Sequence, residues 1–189
     1  MIDIDYFNKC LGVLKDGGTI LFPTDTIWGI GCDATNQKAV DKIYDLKRRD
    51  RSKPLIILAS DINMVKDYVT YIHPKLETLL EFHTRPLTII YNHKEGLSKN
   101  VVSKENTIAI RIPQDNFCRE LISSYGRPIV ASSANISDEP FPKKFSEIKT
   151  QLIQKIDFTI PYRQNDDQFL PPSAIVRLGK NEDLEFLRD

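Results

Sequence analysis

Apolar positions along this chain alternate between two rhythms. Phe7, Leu11 and Leu14 recur at the spacing of a helical turn and predict a helix over 6–15, which Gly17-Gly18 stops. The β-branched, apolar run at 19–22 reads as a strand, and Pro23, with no N–H to donate, ends its pairing. Asn36 then opens a helix striped by Val40, Ile43, Tyr44 and Leu46, with Lys47-Arg48-Arg49 at its C-terminal end, where cations suit the dipole. A strand at 54–59 follows, then helices at 62–69 and 74–83, Pro74 being tolerated in a first turn. Strands are predicted at 87–91, at 107–112 (ended by Pro113) and at 128–131, with a helix at 117–124 between the last two. A polar loop at 132–142, a helix at 146–154 and strands near Phe158, at 174–178 and at 184–187 complete the chain. This alternation predicts an α/β or mixed α+β fold with one sheet of about seven strands flanked by helices. At 189 residues, one domain over 1–189 is expected.

Charge narrows the function classes. Lys plus Arg and Asp plus Glu both total 26, so no global positive field invites nucleic acid and any anion site must be local. Cys10, Cys32 and Cys118 form no metal-like pair and leave an odd thiol, which suits a reducing compartment. Met1-Ile2-Asp3-Ile4-Asp5 carries acids where a signal peptide needs positive charge, and no apolar run approaches a membrane span. A soluble, cytoplasmic protein without a membrane partner is expected. His73, His83 and His93 recur every ten residues, a spacing that fits neither one helix face nor a zinc site, so structural roles and no metal centre are expected. The chain has no Walker loop, dinucleotide fingerprint, nucleophile elbow or paired glutamates, which argues against a covalent enzyme intermediate.

Four places could carry chemistry. Pro23-Thr24-Asp25-Thr26-Ile27-Trp28-Gly29 follows a strand with hydroxyls and a flexible glycine, and reads either as a ligand-presenting loop or as a tight turn. Residues 47–53 hold five cations and one anion, able to converge on a polyphosphate such as ATP or to remain a solvated basic loop. Arg111 interrupts an apolar strand and needs an anionic partner or an open cleft. Thr107, four residues earlier, falls on the same strand face and is expected to line the same site. Ser132-Ser133-Ala134-Asn135 begins where a strand ends, the position at which α/β sheets bind ligands, although such a tetrad alone is also an ordinary turn.

Five blocks in order carry a resemblance: Phe22 to Gly29, Lys47-Arg48-Arg49 leading to Lys53-Pro54-Leu55, Pro86-Leu87-Thr88, Arg111-Ile112-Pro113, and Ser133-Ala134-Asn135-Ile136-Ser137. Together they resemble the YrdC/TsaC family of threonylcarbamoyl-AMP synthases, from about Gly17 onward. The resemblance implies a YrdC-like twisted open mixed sheet enclosing a large basic cavity. It also implies a reaction in which L-threonine and bicarbonate form a carbamate that attacks the α-phosphate of ATP, giving threonylcarbamoyl-AMP and pyrophosphate. Downstream tRNA threonylcarbamoyl-transfer proteins would use that product. Lys47 and Arg49 match the family's Lys-x-Arg pair, and Ser133 and Asn135 its Ser-x-Asn pair; these four are the implied catalytic residues, with Lys47 and Arg49 expected to face solvent in the cavity. Thr26, Arg111 and Ser173 would contact threonine, while Lys53, Thr107 and Arg188 would help hold ATP, with Mg²⁺ carried by phosphate oxygens and water.

The chain departs from the pattern at Trp28 for tyrosine, Arg48 and Asp138 for glycines, Thr84-Arg85 for Pro-Gly, Ala174 for threonine and Leu58 for histidine. A short, TsaC-like form is expected, since the extra C-terminal domain of longer members is not in this sequence. A different class of function is a YrdC-like module binding double-stranded RNA or tRNA; a paralogue without synthase activity, such as the YciO-like branch, is a third reading.

Overall fold

Strand β1 (Ile20–Phe22) serves both halves of the core, because its alternating side chains enter different clusters. Ile20 and Phe22 pack with Leu14, Phe117 and Leu121, whereas Leu21 joins Ile30, Ile57 and Ile110. Both faces of the strand are therefore buried, which explains its unbroken apolar run. The computed structural model describes residues 3–166 and 171–188; Met1-Ile2 of the acidic N-terminal run lie outside them. No helix among the described residues is long and apolar enough to cross a membrane.

The mixed α/β class is as expected, but the strands divide differently. Instead of one sheet of seven, the described residues form two mixed sheets, of four and six strands. In the smaller sheet β1 pairs antiparallel with β2 (Gly29–Gly31) and parallel with a short strand at Phe158–Thr159, while β2 also pairs with Ser132–Ser133. The other sheet runs, in spatial order, Leu184–Arg188, Ala174–Leu178, Leu87–Asn92, Thr107–Arg111, Ile56–Leu58 and Ile129–Val130.

Two strands escaped the sequence reading for physical reasons. Gly29-Ile30-Gly31 lacks β-branched density because Gly31 sits where a Cβ would lie 2.6 Å from the Val130 carbonyl oxygen and 2.7 Å from the Phe22 ring. Ser132–Ser133 has no apolar signal at all; its pairing is imposed by β2.

Helix α1 (Ile4–Lys15) starts two residues before the predicted boundary because Asp3 caps it, accepting the Asp5 N–H at 2.8 Å. Helix α2 (Gln37–Lys47) opens on Asn36, whose Oδ1 accepts from the N–H groups of Lys38 and Ala39. It closes on Arg48 at φ 50°, a left-handed position that favours glycine. The helix expected over 146–154 breaks into a 3₁₀ turn at Phe145–Glu147 and a short helix at Thr150–Ile153, because the chain turns extended at Ile148, which is buried. The three histidines act separately: His73 caps Pro74–Phe82, His83 ends it, and His93 bonds Asn106. All three cysteines are buried and free, and burial pushes the Cys10 thiol up to about 12.

Candidate active site

Pairing on β1 stops at Pro23, as the missing N–H requires, and the next residues fold onto themselves. Thr24 Oγ1 donates to the Ile27 carbonyl at 2.8 Å and accepts the Thr26 N–H at 3.0 Å, and the two threonine hydroxyls stand 2.9 Å apart. This turn, the loop before Ile56–Leu58 and the ends of strands from both sheets enclose a cavity of about 320 Å³. That is near the lower end for small-molecule sites, ~300–1,000 Å³. Thr26, Arg49, Arg111, Ser133, Ser173 and Arg188, six of the ten candidate residues, line it. Among the described residues its lining holds three arginines and no carboxylate, a set of side chains able to take an anion.

Each arginine is braced from behind. Arg49 Nε donates to the Lys53 carbonyl and its Nη2 to the Pro54 carbonyl, both at 3.0 Å. Arg188 Nε donates to the Ser173 carbonyl at 2.8 Å and Nη2 reaches Ser173 Oγ at 3.2 Å. Ser173 in turn shares a 2.7 Å hydrogen bond with Thr88, which lies opposite Arg111 in the sheet. Arg111 is almost fully buried and pairs through Nη1 with Asp25. Burial, and then the nearby Arg111 charge, lower the Arg188 pKa below its ordinary value, so an anion here relieves repulsion.

Lys47 is not where the sequence suggested. It was expected to face solvent in the cavity, yet it is only 1% exposed. Its Nζ donates to the Ser133 carbonyl, to the Asn135 carbonyl at 2.7 Å and to Asn135 Oδ1 at 3.2 Å. Three acceptors use all three ammonium protons. The Lys47 carbonyl accepts the Ser137 N–H at 2.8 Å, so the end of α2 is tied twice to the 133–137 segment. Ser133 Oγ donates to Asn135 Oδ1 at 2.5 Å, and Asn135 Nδ2 donates to the Glu139 carbonyl at 2.6 Å. Lys47, Ser133 and Asn135 thus form one hydrogen-bonded unit, in which Lys47 and Asn135 hold Ser133 from behind, while Arg49 and Ser133 face the cavity. Burial, then the charge of Arg49, bring the Lys47 amine down to about 7.

Lys53 and Thr107 stand apart from the cavity. Lys53 is exposed and pairs with Asp138 at 3.1 Å. Thr107 starts the strand that Arg111 ends, and its hydroxyl bonds Ser103 at 2.8 Å. Strand periodicity does give Thr107 and Arg111 the same face, but four residues of rise separate them by roughly 13 Å. Asp25 and Thr88 lay inside motifs quoted from the sequence but were given no role, and Phe141 was not singled out. Asp25 sat between the two threonines without a visible partner, Thr88 needed the strand register, and Phe141, the cavity's single aromatic lining residue among those described, lay in a loop without periodicity.

The family model for Sua5/YciO/YrdC, described as telomere recombination, matches residues 12–189. The chain belongs to the Sua5/YciO/YrdC family. A Saccharophagus degradans protein named threonylcarbamoyl-AMP synthase is 34% identical over 77% of this chain and 73% of its own length. A Bacillus subtilis protein of the same name is 36% identical over 78% of the chain, which spans only 43% of it. Among solved structures, Pyrococcus abyssi Sua5 complexed with L-threonine aligns at TM-score 0.87 and 26% identity over all of this chain and 55% of its own. The Sua5/YciO/YrdC likeness therefore covers both sheets and every strand that borders the cavity.

Proposed function

We propose that this chain is an L-threonylcarbamoyladenylate synthase, a nucleotidyltransferase acting on L-threonine, bicarbonate and ATP. The observation that carries the reading is the cavity itself, where three braced arginines and hydroxyls from two sheets converge in a chain of this family. The threonine amine and bicarbonate give a carbamate and water. A carbamate oxygen then bonds to the α-phosphorus of ATP as the bond to the bridging oxygen breaks, releasing pyrophosphate.

Arg111, with Thr26 and Ser173, is proposed to receive the amino acid, and Arg49 and Arg188 to receive phosphate charge. Ser133 is proposed to turn its one hydroxyl proton from Asn135 Oδ1 to the reacting centre, while Asn135 and Lys47 hold the segment in place. Such a reaction needs alignment and charge neutralisation more than a protein nucleophile. Lys53, exposed and next in sequence to the lining residue Pro54, is proposed to meet the outer phosphates on leaving Asp138, whereas Thr107, outside the lining, is given no role. Mg²⁺ is proposed to arrive on the triphosphate, held by phosphate oxygens and water, since the lining offers arginines and hydroxyls. The product would pass to tRNA threonylcarbamoyl-transfer partners in the cytoplasm. Double-stranded RNA binding is the weaker reading, because the formal net charge is zero and three arginines lie in the lining of a cavity.

The test is pyrophosphate release from ATP with threonine and bicarbonate supplied or withheld. Release that requires both is expected; release indifferent to threonine would remove the reading. Ser133→Ala should slow the reaction by about 10- to 1,000-fold, the effect of losing one transition-state donor, without a large change in melting temperature. An unchanged rate would make Ser133 an ordinary turn residue.

A further inference from the structure

We propose that Asp25 is a positioning residue that sets the threonine subsite by holding Arg111 and Thr26 in one fixed geometry. The inference rests on the synthase reading and concerns a residue to which that reading gives no task.

Asp25 lies between Thr24 and Thr26 in the turn after β1, and its side chain is 10% exposed. Both carboxylate oxygens are engaged. Oδ1 pairs with Arg111 Nη1, and Oδ2 accepts the Gln114 N–H at 2.9 Å. Asp25 is not among the residues that line the cavity; its two bonds tie the turn to the far end of the strand that carries Arg111. The hydrogen bonds of Thr24 fix Thr26 on the other side of Asp25. Thr26 and Arg111, two residues of the lining, are therefore connected through the Asp25 side chain.

The electrostatics explain why an acid stands there. Arg111 is 5% exposed and shares the lining with Arg49 and Arg188. Without a carboxylate behind it, a guanidinium in that position would be buried beside two like charges. Asp25 occupies only one edge of a fork that carries five N–H groups. The remaining N–H groups are those a substrate carboxylate can take in a bidentate pair, a geometry that requires the guanidinium plane to be fixed. The proposal predicts a defect confined to the amino-acid substrate.

Asp25→Asn keeps the volume and an oxygen for Gln114 but removes the charge. Pyrophosphate release, with threonine and ATP varied separately, should show threonine KM raised about 10- to 100-fold, with kcat and ATP KM within about threefold of wild type. Arg111→Met should raise threonine KM by itself, and adding Asp25→Asn to it should change nothing further, because Asp25 acts through Arg111. If Asp25→Asn alone does not fold, the comparison of Arg111→Met with the double variant, which buries no unpaired charge, decides the matter. An equal threonine KM in those two supports the proposal. A further rise, or an Asp25→Asn defect that falls equally on kcat and ATP KM, overturns it. Wild-type protein without threonine-dependent release would instead overturn the synthase reading, whereas normal wild-type release with an unchanged threonine KM in Asp25→Asn would overturn the Asp25 proposal alone.

Discussion

Arg49→Ala is expected to lower kcat/KM for pyrophosphate release by roughly 10³-fold, the scale of removing a fixed cation from a phosphoryl-transfer site. The structure gives the reason in two parts. The side chain enters the cavity lining, and carbonyls of Lys53 and Pro54 hold its guanidinium in place. The charge is therefore aligned before substrate arrives, so no reorganisation is needed at the moment of reaction. Arg49→Lys should recover little, because an ammonium cannot donate to two carbonyls and still present a planar edge to phosphate. Stability should fall by only about 1 kcal/mol, since both bonds lie near solvent. Steady-state kinetics beside thermal melting separate these effects, and a near-normal rate in Arg49→Ala would remove the residue from the mechanism.

Lys47→Ala should behave differently, losing stability and rate together. It leaves the Ser133 and Asn135 carbonyls and Asn135 Oδ1 without their buried donor. The expected cost is ~2–4 kcal/mol of folding stability, and the loosened Ser133 should reduce turnover by about 100-fold or more. The sequence-based expectation of a solvent-facing Lys47 implies lost activity with intact stability, so a denaturation curve distinguishes the two accounts.

The same lysine gives a pH dependence. Its amine titrates near 7 in the folded protein against an ordinary 10.5 when exposed. Between those values the unfolded chain binds a proton that the folded chain does not, so this residue makes stability rise with pH across that window. Below about 7 both states carry the charge, and its contribution stops changing. Denaturant midpoints at pH 6.5 and pH 9.5 should therefore show a rise in wild type relative to Lys47→Met; parallel behaviour in the two proteins would count against the buried-amine assignment.

What was legible in the sequence followed local chemistry. The end of β1 at Pro23, the capped start of α2 at Asn36 and the basic C-terminus of that helix each depend on residues within one turn of the feature. Arg111 was readable as a charge requiring a partner, because a buried arginine in an apolar strand has few alternatives. Its partner Asp25 was not, since 86 residues separate them and no spacing rule connects a turn to the end of a distant strand. Thr107 shows the limit of periodicity, which assigns a face but says nothing of position along it. Lys47 shows the limit of charge reading. A lysine beside two arginines looks solvated, and only the return of residues 133–137 against the end of α2 supplies the oxygens that bury it. The division into two sheets was hidden for a related reason: Gly29–Gly31 and Ser132–Ser133 become strands through pairing, with little intrinsic preference to announce them.

The most direct test of the central claim is detection of the product itself. The protein is incubated with ATP, Mg²⁺, threonine and isotopically labelled bicarbonate, and the adenylate pool is resolved by mass spectrometry alongside released pyrophosphate. The account predicts one new adenylate that carries both threonine and the labelled carbon, formed in equal amount to pyrophosphate and absent when either threonine or bicarbonate is withheld. Folded protein that binds ATP yet forms neither this adenylate nor pyrophosphate would contradict it.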